Sequence, residues 1–375
     1  MSAAPGYGLE SVVAASTKLS RVDGQAGRLV IGGYELEDLA PQATFEEVSY
    51  LLLHGSLPDS SDLASFKRAL AGRRHLTSAT ISLLGEAARS GVSVIDALLI
   101  AAPTLRLGRT EDPGDDALTT IAAFPAIVGS YWRLKTGHEP VAVREDLSHA
   151  AHFLYQVFGR EPGPRQTRAL ETYLNTVCDH GLNASTFTAR VIISTHSDVI
   201  SAVTGAIGAL KGPLHGGAPG PALEMVFEIE KAERAEAIIR AKLASGERLM
   251  GFGHRVYKVR DPRADVLAAA ADALYEDEQE RQLYMLAKYV EQTALRLLEE
   301  AKPGRRLQTN VEFYTALLLH GLGLPVELFT PTFAAGRVAG WTAHALEQLR
   351  EGRLIRPDAN YVGGLGLKFE PADQR

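Results

Sequence analysis

Three stretches of the chain bring together residues able to do acid–base and anion chemistry. In QTNVEFYTALLLHGLGLP, Glu312 stands among Val311, Phe313 and the run Ala316 to Leu319, where a helix leaves little room for a solvent face. A carboxylate in that setting has two readings. It is either an ordinary first-turn acid behind an Asn310 cap or a carboxylate buried for catalysis. His215 in PLHGG and His254 in GFGHRVYK sit on glycine-flanked loops, where backbone can pack against a ligand. His215 also precedes a helix whose N-terminal dipole would keep the imidazole neutral, and a neutral imidazole can donate a hydrogen bond to a carbonyl oxygen. Arg255, Arg260 and Arg263 follow the second loop, and Arg337 and Arg356 lie near the C-terminus. Guanidinium groups clamp carboxylates through two parallel hydrogen bonds. Two histidines, a carboxylate and such arginines would suit a polycarboxylate that reacts beside a carbonyl. Arg255 and Arg260, taken one by one, read as surface salt-bridge residues.

Other chemistries find less support. His149 and His152 are one helical turn apart, but no third ligand is indicated and HExxH is missing, so no metal site is expected. GFG lacks the Lys-Ser/Thr ending of a phosphate loop, and there is no GxSxG elbow. Cys178 is the only cysteine among 375 residues, which excludes an intrachain disulfide and a cysteine metal cluster. A formal net charge of −6 argues against a nucleic-acid partner, so an anionic ligand must be met by local arginines. The first twenty residues lack a basic start and a signal-length apolar run, and ALLIAAP at 97 to 103 is too short to cross a bilayer. A cytoplasmic protein with no membrane partner is expected.

The elements that must position these groups are mostly helical, and 46% hydrophobic residues supply a large core. Residues 17 to 34 are the one convincing strand region, with turns at Asp23-Gly24 and Gly32-Gly33. FEEVSYLLLHGSLP at 45 to 58 has acids in its first turn, an apolar stripe and a Gly55 stop. Similar patterns predict helices over 60–72, 78–90, 117–136, 146–158, 165–180, 184–192 and 197–210. The Gly- and Pro-rich stretch from Gly212 to Pro221 reads as a shaped loop, and Asp261-Pro262 as an N-cap and first helical residue. Residues 264 to 302 read as helical, with EDEQERQ a solvated turn.

Several long segments in one order resemble the citrate synthase family, which includes the 2-methylcitrate synthases. They are RVDGQAGRL, FEEVSYLLLHGSLP, DHGLNASTFTARV, GALKGPLHGGAP, GFGHRVYKVRDPRA, NVEFYTALLLHGLGLPVELFTPTFAAGRVAGW, RLIRP and YVGG. The resemblance implies an all-α, two-domain homodimer with a small N-terminal β element. Residues 1–217 and 326–375 would form the large domain, and 218–325 the small one that closes over the site. It implies condensation of acetyl-CoA, or propionyl-CoA, with oxaloacetate and hydrolysis of the citryl thioester, without a tightly bound cofactor. His215, His254 and Glu312 would be catalytic. His180, Arg263, Arg337 and Arg356 would hold oxaloacetate, Arg356 reaching in from the partner subunit. Arg248, Leu249, Met250, Gly251, Phe252 and Gly253 would line the adenine end of CoA, mostly through backbone. The family motif NVDFYSG carries aspartate where this chain has Glu312, which is longer by about 1.5 Å. A regulatory paralog that binds without turnover and an enzyme cleaving citryl-CoA are the rival readings.

Overall fold

The computed structural model describes residues 8–9, 12–109, 112–216, 219–254, 256–275 and 278–375. Among them are sixteen α-helices and one three-stranded antiparallel sheet. The strands Ser20–Asp23, Arg28–Ile31 and Tyr34–Glu35 pair in chain order, Ser20 opposite Ile31 and Asp23 opposite Arg28, with turns at the two glycine-bearing dipeptides. The first turn has a task beyond closing the hairpin. A Cβ on Gly24 would fall 2.3 Å from the Val256 carbonyl oxygen, so only glycine lets the turn dock on the His254 loop. Lys258 N–H donates to the Gly24 carbonyl there, at 2.9 Å.

Local chemistry explains most helix starts. Thr44 and Glu47 form a reciprocal capping box ahead of Phe45–His54, and Gly55 closes that helix in the left-handed region. Asp261 caps Pro262–Leu274 and Asn310 caps Val311–Gly321, as their sequences predict. The helical stretch read over 264–302 is two helices, Pro262–Leu274 and Glu278–Ala301, and the break falls just ahead of the turn that the sequence suggests. Buried Tyr275 adopts an extended conformation at the break and its hydroxyl donates to the Leu317 carbonyl, a tertiary anchor that overrides helix propensity. Residues 278 to 282 of EDEQERQ therefore open a helix rather than make a turn, and 276 and 277 lie outside the described residues. Three further helices carry no clear solvent stripe or were hidden between breaks: Val94–Ala101, Ala232–Ala244 and Phe329–Glu351.

The last of these organises the core. Phe329–Glu351 is buried along most of its length and packs on Pro113–Lys135, Pro164–Val177, Ala184–Ile193 and Val199–Leu210. A helix apolar all round belongs inside a large core, where close packing fixes each side chain it carries. Arg337 and Trp341 are therefore held rigidly. On the other side of the cleft, Val311–Gly321 packs on Pro262–Leu274 and Pro219–Ile229, and Ala232–Ala244 packs on Glu278–Ala301. Cys178 is wholly buried just before the His180 loop, and burial pushes its thiol pKa up. No single helix among the described residues is long and apolar enough to cross a membrane.

Candidate active site

One cleft of about 1140 Å³ is lined by His180, His215, His254, Arg263, Glu312 and Arg337. Six of the seven predicted catalytic and oxaloacetate residues thus converge, although they are spread from position 180 to 337. Arg356 does not join them. It lies exposed on the C-terminal segment that follows Glu351.

Glu312 enters the cleft because Asn310 stops the preceding strand-like segment and starts the helix, accepting a hydrogen bond from the Glu312 amide at 3.0 Å. Its carboxyl pKa is raised to about 7, chiefly by burial; Asp261 adds to the rise, while Arg263 and Arg337 oppose it. Both sequence readings of this residue hold at once: it is a first-turn acid, and it faces a site.

The histidines are neutral donors. Val256 and Tyr257 amides both donate to His254 Nδ1, at 3.1 and 3.0 Å, so the proton sits on Nε2, 3.5 Å from an Arg263 nitrogen. The Ser185 amide, which can only donate, points at His215 Nε2 at 3.4 Å and places the proton on Nδ1. Ser185 Oγ lies 2.8 Å from the same nitrogen and also accepts from Trp341 Nε1 at 3.0 Å. Burial followed by neighbouring arginines, Arg337 for His215 and Arg263 for His254, holds both pKa values down at about 4. Gly217 and Ala218, between His215 and the helix starting at Pro219, lie outside the described residues. His180 Nε2 lies 3.1 Å from the Tyr257 hydroxyl, and burial holds its pKa far down too.

The arginines differ in their readiness for an anion. Arg263 is clamped by Asp261 through Nε and Nη2 at 3.0 and 2.8 Å; Asp261 also accepts from the Val311 amide at 3.3 Å, tying this arginine to the start of the Glu312 helix. Arg337 is 1% exposed, donates from Nε to the Val177 carbonyl, lies 4.6 Å from the Phe333 ring centroid, and keeps Nη1 without a partner. A buried guanidinium nitrogen left unpaired costs free energy, which a carboxylate bound against it would recover. Arg260 pairs with Asp265 and Glu291, each at 2.6 Å, which is the structural role expected of it; Arg255 lies outside the described residues.

The segment 248–253 splits between cleft and core. Arg248, Met250 and Gly253 line the cleft, whereas Leu249 and Phe252 turn into the core, each 4% exposed. Gly251 has a φ of 89°, and a Cβ there would press on Phe313 at 3.0 Å. The loop is bolted to the residues before Glu312: Asn310 N–H donates to the Gly251 carbonyl and Asn310 Nδ2 to that of Gly253, at 3.0 and 2.8 Å. Sequence reasoning did not single out Ser185, Tyr257, Asp261 as a clamp, or Trp341. All four lie inside the segments that carry the family resemblance, which was the one signal that could have found them. His149 and His152 are wholly buried away from this cleft; His152 Nε2 lies 3.3 Å from Gln156 Nε2, and no three-ligand metal group gathers among the described residues.

The matching family model, "Citrate synthase, C-terminal domain", spans residues 8–358. The chain is 41% identical to the citrate synthase of Haloferax volcanii, over 98% of both chains. The chain belongs to the citrate synthase family. A 2-methylcitrate synthase of Shewanella oneidensis is 38% identical over 99% of this chain and 98% of its own. Among solved structures, citrate synthase from Thermoplasma acidophilum, in ternary complex with carboxymethyl coenzyme A and oxaloacetate, superposes with a TM-score of 0.88 at 32% identity, covering 98% of each chain. The all-α architecture with a small sheet is that of citrate synthases.

The cleft makes one pH dependence expected. If a citrate synthase reaction here needs ionised Glu312, kcat/KM falls on the acid side through a single limb near pH 7. His215 and His254, at about 4, stay neutral above pH 5 and add no limb of their own. A rate profile flat from pH 5.5 to 8.5 would refute it. The same shift sets a stability sign. Between the ordinary value of 4.5 and about 7 the folded chain holds a proton that the unfolded chain has released, so Glu312 costs stability as pH rises through that window.

Proposed function

We propose that the chain condenses acetyl-CoA with oxaloacetate and hydrolyses the citryl thioester, releasing citrate and CoA. The observation carrying this reading is the convergence of a carboxyl of pKa about 7, two neutral imidazole donors and two buried guanidinium groups on one cleft. Glu312 takes a proton from the methyl carbon of the thioester while His215 Nδ1–H donates to the thioester oxygen and stabilises the enolate. The enolate carbon forms a bond to the ketone carbon of oxaloacetate. His254 Nε2–H donates to the ketone oxygen and supplies its proton as the alkoxide forms, and the proton that Glu312 took from the methyl carbon restores the neutral imidazole by way of solvent. Water then attacks the thioester carbonyl, the C–S bond breaks, and CoA leaves as its thiol. His180, Arg263 and Arg337 hold the oxaloacetate carboxylates, and the segment 248–253 meets the adenine end of CoA through the groups that face the cleft.

The site is completed by a second copy in this reading. Leu354, Tyr361, Val362, Leu365, Leu367 and Phe369 are 58–89% exposed on the segment that bears Arg356, an apolar strip that its own chain leaves uncovered. A homodimer in which this segment crosses to the partner covers the strip and delivers Arg356 to the partner's cleft. Residues 218–325 form the small domain that closes on oxaloacetate, for which equal small-angle scattering profiles with and without that ligand would be fatal. The test of function is thiol release by the purified chain with oxaloacetate and either acetyl-CoA or propionyl-CoA. Release that is faster with acetyl-CoA supports the reading, faster release with propionyl-CoA makes it a 2-methylcitrate synthase, and none with either refutes both.

A further inference from the structure

Behind the cleft lies a buried polar chain that the mechanism does not use. Arg190, 2% exposed on the helix Ala184–Ile193, donates from Nε to His344 Nδ1 at 3.0 Å and from Nη1 to Gln348 Oε1 at 2.9 Å, and its Nη2 pairs with Glu347. A guanidinium can only donate, so His344 Nδ1 accepts, the ring proton sits on Nε2, and Nε2 donates to Asp179 Oδ2 at 3.2 Å. The direction of every hydrogen bond from Arg190 to Asp179 is therefore fixed.

Both ends of the chain meet residues assigned above to oxaloacetate. At one end Asp179, wholly buried, also accepts from Ser20 Oγ, and Ser20 Oγ accepts from the Gly181 amide at 2.9 Å. His180 is thus gripped on either side. At the other end Gln348 Nε2 donates to the Arg353 carbonyl at 2.9 Å, and Ser194 Oγ, one turn beyond Arg190, accepts from the Ile355 amide at 3.0 Å. These two bonds fix the backbone immediately ahead of Arg356. Directed hydrogen bonds among buried groups hold one geometry because an alternative leaves further buried polar atoms unpaired; Asp179 Oδ1 makes no hydrogen bond and lies 3.2 Å from His344 Nε2.

We propose that Asp179, His344, Arg190, Gln348 and Ser194 form a positioning network that sets His180 in its own cleft and, in the same register, the departure of the segment that carries Arg356 to the partner. The proposal rests on the reading of His180 and Arg356 as oxaloacetate groups. Its consequence is that the two clefts of a dimer share one rigid frame for substrate carboxylates, while the acyl-CoA side is untouched by it.

Ser194→Ala tests the far end with little disturbance to the core. It is expected to raise the oxaloacetate KM about tenfold, with the acyl-CoA KM and kcat changed less than twofold. In an Arg356→Ala background the same change is expected to have no further effect, because it acts through Arg356. His344→Gln is expected to raise the oxaloacetate KM in both backgrounds, since it acts through His180. Thermal melts accompany each variant. A Ser194→Ala protein that melts earlier with an unchanged oxaloacetate KM, or a penalty that multiplies in full with that of Arg356→Ala, overturns the proposal. A parent chain that releases no thiol overturns the functional reading and this one together, and is distinguished by being seen before any variant is made.

Discussion

Glu312→Gln is expected to fold, to bind both substrates, and to lose turnover by about 10²–10⁴-fold in kcat, the usual contribution of a positioned general base. The amide is isosteric with the carboxyl and keeps the Asn310 cap intact, since that bond is made by the Glu312 backbone. The effect should therefore fall on kcat, with the oxaloacetate KM nearly unchanged. Glu312→Asp is the sharper probe. It moves the carboxylate back by about 1.5 Å, and a shift of about 1 Å can cost on the order of a hundredfold. Phe313 against Gly251, and the Asn310 bonds to Gly251 and Gly253, fix the helix start so that it cannot slide to compensate. The Asp variant is thus expected to lie between parent and Gln. Steady-state thiol release settles it: a Gln variant as fast as the parent would remove Glu312 from the mechanism, and an active Asp variant of an inactive parent would mean that this cleft binds but has lost its base.

Arg337→Lys is expected to raise the oxaloacetate KM by about 10–10²-fold. A hydrogen bond to a charged group contributes roughly 1.5–3 kcal/mol, and lysine cannot reproduce a two-pronged contact. Burial lowers the Arg337 pKa to about 10, so the group remains cationic at neutral pH and the loss is one of geometry. The Val177 carbonyl and the Phe333 face would lose the planar group they hold, which is why lysine is no conservative change here. Initial rates over a range of oxaloacetate decide this. An oxaloacetate KM within threefold of the parent's would show that the unpaired nitrogen does not receive a substrate carboxylate.

What the sequence made legible follows how local each cause is. Asn310 before Glu312, Asp261 before Pro262 and the Thr44 to Gly55 helix are set by neighbours within one turn, so their boundaries were readable. The break at Tyr275 reads too late and too long in the sequence, as a turn over 276–282, because its cause is the carbonyl of Leu317, distant in sequence. Phe329–Glu351 escaped for a different reason: a helix buried on every side shows no amphipathic stripe. Composition and spacing offered His215, His254, Glu312 and the arginines as separate candidates, and the family resemblance joined them into one site. Neither could say that Asp261 would clamp Arg263 and the Glu312 helix together, nor that Leu249 and Phe252 would face the core while Arg248 and Met250 face the cleft. Arg356 lies exposed outside the cleft, and the proposed delivery by a second chain is beyond what one chain's pattern can place.

The burial of Cys178 has a practical side. With no accessible sulfhydryl among its described residues, and that single thiol held in its unreactive protonated form by burial, the protein should neither consume a disulfide reagent nor be inactivated by it. Colour developed by such a reagent during turnover would then count coenzyme molecules alone, and the native protein serves as its own blank.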